Sequence, residues 1–69
     1  MHFDERLKYL QCKYPDMPEA QARSVATFCD FGWQWEGFGY DGSVDISRPD
    51  TTETIEKAYI RTDGSFRYA

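Results

Sequence analysis

The apolar positions in the first part of the chain recur at helical spacing, and those after Gly32 alternate with polar ones. Phe3, Leu7, Leu10 and Tyr14 share one helical face, with Asp4, Glu5, Arg6 and Lys8 on the other side, so residues 3–14 read as a short amphipathic helix. Pro15 ends it, because the residue before a proline is driven out of the helical region. Asp16 and Glu19 have the spacing of a capping box with Asp in place of Ser or Thr, and Pro18 suits a first turn where its missing N–H is not needed. Ala22, Val25, Ala26 and Cys29 continue one face, and Gly32 is placed to terminate it, so a second helix is expected over 17–30.

After Gly32 the period becomes two. Trp33 and Trp35 alternate with Gln34 and Glu36, and beyond the Asp41-Gly42 pair Val44 and Ile46 alternate with Ser43 and Asp45, which reads as a β-hairpin over 33–47. Two registers are open. A two-residue turn puts Trp33, Trp35, Val44 and Ile46 on one face, with Gly37 and Gly39 leaving room beneath them. A three-residue turn ending in a left-handed Gly42 pairs Phe38 with Val44 instead. The first is preferred because it buries both tryptophans, and alternation then sends Phe38 and Tyr40 to the opposite face.

Residues 47–51 read as a connector. Asp50 and Glu53 are spaced to open a helical turn, whereas Ile55, Tyr59 and Ile60 favour a strand, and the second Asp-Gly pair decides for the strand. With Thr62, Asp63 and Gly64 as a three-residue loop, Ile60 faces Phe66 and Ala58 faces Tyr68, leaving Tyr59, Arg61, Ser65 and Arg67 outside. This gives a second hairpin over 54–68. The expected fold class is α+β: two short N-terminal helices packed on a small antiparallel sheet of three to four strands, as one domain over 1–69 without internal repeats. A 69-residue chain hides only about 60% of its unfolded surface, so an aromatic content of 17% reads first as compensation for a small core.

The candidate chemistry is sparse. His2 is the only histidine, so neither Cys12 nor Cys29 has an imidazole to make it a thiolate, and no serine has a base. Two cysteines without a CxxC or HxxxH companion do not make a metal site, and the acids lack the spacing of a calcium loop. The glycines around Trp35 precede a strand rather than a helix, so they form no phosphate cradle. No catalytic residue, cofactor site or metal site is therefore assigned, and the chain reads as non-enzymatic. On the two helices both cysteines are expected to be small buried apolar residues, too far apart to bridge. The charged N-terminal stretch matches neither a secretory signal nor a membrane span, and with few cysteines the expected compartment is a reducing cytoplasm, that of the host if the chain is phage-encoded.

Charge adds more than its sum of −4. Residues 1–29 carry four acids and four bases, residues 30–56 seven acids against Arg48, and residues 57–69 Asp63 against Lys57, Arg61 and Arg67. The acidic block coincides with the aromatic stretch DFGWQWEGFGYDGS, residues 30–43. Such a surface repels phosphate backbones, which argues against direct nucleic-acid binding and for a protein partner with a basic surface. Large aromatics edged by acids are the usual makeup of a protein-binding hot spot, so the candidate partner-binding residues are Phe38, Tyr40, Trp33, Glu36, Asp41 and Asp45, the tryptophans doubling as core.

In size, acidity and lack of a module signature the chain resembles the small inhibitors that phages and mobile elements direct at host machinery, anti-CRISPR proteins among them. The resemblance is one of class, and no residue role follows from it. Two alternatives stand beside it. One is a nucleic-acid mimic, with Asp30, Glu36, Asp41, Asp45, Asp50, Glu53 and Glu56 imitating phosphates in a basic groove. The other is a self-associating regulatory subunit, a homodimer paired through the edge strand that carries Phe66 and Tyr68.

Overall fold

The computed structural model describes residues 2–49 and 54–69. Helices α1 (Phe3–Lys13) and α2 (Glu19–Asp30) pack on one face of an antiparallel sheet of β1 (Gln34–Phe38), β2 (Val44–Pro49), β3 (Ile55–Ile60) and β4 (Phe66–Tyr68), in spatial order β1-β2-β3-β4. The α+β expectation holds, with all four strands in one sheet.

The core forms where the helical stripe meets the alternating one. Leu7 and Leu10 from α1 and Ala22, Val25 and Ala26 from α2 close over Trp33, Val44, Ile46, Ala58 and Ile60. Phe3, Tyr14, Phe28, Cys29 and Trp35 pack around the rim. Ala22 and Ala26 let α2 approach the sheet closely, as small residues on a contact face do.

The two ends of α2 are built differently. Gly32, at φ 94°, sends its N–H to the Cys29 carbonyl (3.1 Å) while the Trp33 N–H reaches Phe28 (3.1 Å). This is a Schellman ending, and the Phe28 and Trp33 rings supply its apolar contact at 5.4 Å. The expected capping box is absent. Pro18 is the N-cap of α2, with no side-chain cap bond, and Asp16 lies two residues further upstream in a tight turn closed by the Met17 N–H on the Tyr14 carbonyl at 3.0 Å. From there its carboxylate is not at the capping position, and the helix starts at Glu19 rather than residue 17.

The second hairpin matches its predicted register: Ala58 opposes Tyr68, Tyr59 opposes Arg67 and Ile60 opposes Phe66. The first hairpin does not follow the preferred one. Phe38 pairs with Val44 and Gly37 with Asp45, after which the count shifts and Trp35 pairs with Ile46 and Gln34 with Ser47. Glu36 is the extra residue, a β-bulge. The turn is thus the three-residue alternative, and the bulge restores Trp35 to the helix-facing side, which an uninterrupted ladder from that turn would have denied it. Phe38 shares that side, in contact with Tyr14 and Trp35, and the expectation that it points away is corrected. Strand β2 also runs through Arg48 and Pro49, so the connector begins later than expected; Asp50, Thr51 and Glu53 lie outside the described residues.

The helices cover one face only. The other presents Gln34 and Glu36 on β1, Asp45 and Ser47 on β2, Ile55, Lys57 and Tyr59 on β3, and Arg67 on β4, as the pairing register and strand alternation require. Cys12 is exposed on α1 rather than buried, whereas Cys29 is half-buried, and both are free thiols.

Candidate functional site

Both hairpins close with Asp-Gly-Ser, and the two turns are built alike. In the first, the Gly39 N–H meets the Ser43 carbonyl (2.7 Å), the Gly42 N–H returns to Gly39 (3.1 Å), and Asp41 Oδ1 accepts the Ser43 N–H (3.0 Å). In the second, Arg61 meets Ser65 (2.8 Å), Gly64 returns to Arg61 (2.9 Å), and Asp63 Oδ1 accepts both the N–H (2.9 Å) and hydroxyl (2.6 Å) of Ser65. Gly42 and Gly64 adopt φ of 85° and 87°, a left-handed backbone that glycine enters without steric cost. The Ser43 N–H and hydroxyl hold the Asp41 carboxyl below its ordinary range, with a smaller contribution from Arg61. The Ser65 hydroxyl and N–H do the same for Asp63.

Helix α2 fixes both turns in place. Gln21, 1% exposed, donates from Nε2 to the carbonyls of Gly42 (2.9 Å) and Ile60 (3.0 Å), tying one turn to the neighbouring strand. Ser24 Oγ donates to the Gly64 carbonyl (2.6 Å). A buried glutamine whose amide is matched to two carbonyls is costly to lose, since its partners would be left without donors. Sequence reasoning missed Gln21. Its signal was position: it stands four residues before Val25, beside the apolar face of α2.

On this anchored turn Tyr40 is wholly exposed, at 106% of its reference surface. On the helix side of the same hairpin, between it and the helix–helix turn, lies an apolar groove of about 430 Å³ lined by Tyr14, Pro15, Met17, Pro18 and Phe38, with Lys13 and Asp16 at its rim. One wall is a three-ring cluster: Tyr14 stacks on Trp35 at 5.2 Å and 4°, and Phe38 meets both edge-on at 5.3 and 5.0 Å. Phe38 is 49% exposed, so its ring is shared between this cluster and solvent.

The six candidate partner-binding residues separate into three places. Tyr40 and Asp41 line a cavity on the open-face side of the first turn, with Asp45, Tyr59, Arg61 and Arg67, whereas Phe38 lies on the helix side against Tyr14 and Trp35. Glu36 and Asp45 lie on the open sheet face, where the Ser47 hydroxyl donates to Glu36. Trp33 is buried beneath the sheet, 5% exposed, with Phe28 at 5.4 Å, Tyr68 at 6.0 Å and the Arg48 guanidinium over its ring at 5.1 Å. It is a core residue and offers no surface.

The acidic block is likewise dispersed. Glu56 pairs with Arg48 at 2.8 Å on the helix side, and Asp30 stands 3.7 Å from Arg6. Glu36, Asp45 and Asp41 share the open-face side of the β1–β2 hairpin, apart from Asp30 and Glu56, so the described acids of the block form no single continuous stripe. On the open face Glu36 and Asp45 occupy the β1–β2 half, and Lys57 and Arg67 the β3–β4 half. Among the described residues no ion pair joins the two halves. Asp45 and Tyr59 form a ridge between two shallow cavities of about 390 and 380 Å³.

Among the described residues no three acids, histidines or cysteines converge as a metal site would require, and no helix is long and apolar enough to cross a membrane. Burial pushes the Cys29 thiol up, with Arg6 opposing the shift. No protein-family model, curated protein or solved structure matches this chain.

Proposed function

We propose that the chain acts by contact, as a non-enzymatic protein whose turn end binds another protein and so blocks or regulates it. The observation that carries this reading is Tyr40: a whole aromatic side chain held in water on a turn that Asp41, Gly42 and Gln21 fix in one geometry. Exposing a tyrosine in this way contributes nothing to folding. A rigid aromatic anchor, however, loses little entropy on binding, which is where interface hot spots draw their energy. The apolar groove beside Phe38, on the helix side of the same hairpin, adds a second cavity, sized for one large side chain of the partner. The turn end itself is mixed in charge, with Arg61 and Arg67 beside Asp41 and Asp45 and Lys13 beside Asp16, so the preference for a partner with a basic surface rests on the net charge of −4. An inhibitor directed at a larger assembly is one role that this mode of action fits.

The test is capture of partners from lysate with the intact protein, followed by affinity measurement on what is captured. Tyr40→Ala is expected to weaken binding by at least about 2 kcal/mol with the melting temperature unchanged, while Asp41→Asn acts mainly on association rate and salt dependence. Binding that ignores Tyr40 and collapses on loss of the acids would move the contact to another surface and favour the mimic reading.

A further inference from the structure

The open face of the sheet carries opposite charges on its two halves, and this division fixes what complements it. Consider two copies meeting face to face. A two-fold axis running across the strands would lay each strand over its own copy, acid on acid and base on base. An axis running along the strands, between β2 and β3, lays β1 over β4 and β2 over β3. Only the second places Glu36 and Asp45 of each copy against Lys57 and Arg67 of the other.

The details of the rows agree. Gly37, Asp45, Tyr59 and Arg67 lie side by side across the four strands. Under the strand-parallel axis Tyr59 of one copy covers Asp45 of the other, so its hydroxyl has a carboxylate to donate to, twice over by symmetry. Arg67 covers Gly37, where no atom lies within 4 Å of the position a Cβ would take, leaving room for a guanidinium between Glu36 and Asp45. We infer that the chain self-associates through this face into a two-fold dimer, a sandwich of two four-stranded sheets with its helices outside.

Four strands about 4.8 Å apart and about five residues long give a footprint on the order of 300 Å² per copy, which is small for a permanent interface. The association is therefore concentration-dependent, and because its contacts are ionic it weakens with salt. Because the axis runs along the strands, both Asp-Gly-Ser turns of both copies emerge at one end. Tyr40 borders the cavity that Asp45, Tyr59 and Arg67 line, so in the dimer it stands at the edge of the paired faces. The inference itself stands independently of any role for Tyr40.

Sedimentation equilibrium at chain concentrations up to about 1 mM and roughly 50 mM salt tests it. The wild type should reach twice the monomer mass and dissociate on raising salt about tenfold. Two variants follow, one with Glu36→Lys and Asp45→Lys, the other with Lys57→Glu and Arg67→Glu. Each alone should lose at least about tenfold in association constant, because like charges then face each other in the symmetric pair. Mixed in equal amounts they should dimerise again, since each reversed half meets the complementary reversed half. Circular dichroism checks that each is folded, and Asp45→Asn with Arg67→Gln is the milder pair, expected to weaken association without rescue on mixing. A wild type monomeric throughout, a dimer indifferent to these charges, or folded variants that stay monomeric when mixed would each overturn the inference.

Discussion

The two hairpins share a turn and differ in a ladder. Each closes with Asp-Gly-Ser, a left-handed glycine and an aspartate that receives the serine N–H. Beyond the turn, β3 and β4 alternate without interruption, whereas β1 carries Glu36 as an inserted residue. The reason lies in where each strand keeps its large residues. Ile60, Ala58, Phe66 and Tyr68 already fall on one face when counted from their turn. In β1 the same count places Phe38 inward and Trp35 outward, and the bulge admits both. A turn therefore sets the register only next to itself; burial of large side chains further along sets the rest.

The sharpest way to break this comparison is to delete one residue from each hairpin. Removing Glu36 turns β1 into a regular ladder with Trp35 and Phe38 still facing the helices, and is expected to cost only about 1 kcal/mol. Removing Tyr59 from β3 has no bulge to absorb it: Ala58 turns outward and Lys57 is driven under the helices, a loss comparable with the ~5 kcal/mol or more that holds a domain together. Chemical denaturation of both variants decides it. Equal losses would mean that Glu36 is paired after all.

Next in size is the difference between the turn glycines. Both Ala substitutions impose a left-handed backbone worth about 1–2 kcal/mol. At Gly64, however, the added Cβ would sit 2.8 Å from the Ala20 carbonyl oxygen of α2, whereas at Gly42 the nearest atom is the Thr62 methyl at 3.6 Å. Gly64→Ala should therefore be the more destabilising by about 1–3 kcal/mol, since it also pushes the helix off the hairpin. Equal melting temperatures for the two variants would show that α2 is not seated against the second turn.

The smallest expected effect is one the two turns share. The Asp41 and Asp63 carboxyls are held below their ordinary value of 3.8 by hydrogen bonds from Ser43 and Ser65. A carboxyl depressed in the folded state stabilises fully above its unfolded pKa, and that contribution fades as pH falls through the folded value. Both side chains are exposed, so the loss per turn is modest. Carboxyl carbon shifts followed by NMR should give midpoints below 3.8 for both, and Asp41→Asn and Asp63→Asn should each flatten the stability profile between about pH 5 and 3. A midpoint at or above the ordinary value for either would mean that its serine contact does not persist in solution.

Much of the architecture was legible in the chain itself, for reasons that are local. The helical stripe Phe3, Leu7, Leu10, Tyr14 and the face Ala22, Val25, Ala26 determined two helices, Gly32 determined where the second stops, and the uninterrupted alternation of residues 55–68 determined the second hairpin with its register. Other features were decided only when elements met. With aromatics at 33, 35 and 38, no single strand period places all three inward, and only the presence of Tyr14 and the core beneath them made a bulge at Glu36 worth forming. Gln21 became a clamp because two carbonyls from distant segments converge on it. The open face became two opposed half-fields because β2 and β3, separated in sequence, lie side by side. Local sequence fixes backbone period through sterics and burial of nearest neighbours, whereas register past an irregularity, buried polar matches and surface fields depend on atoms that only the packed fold brings together.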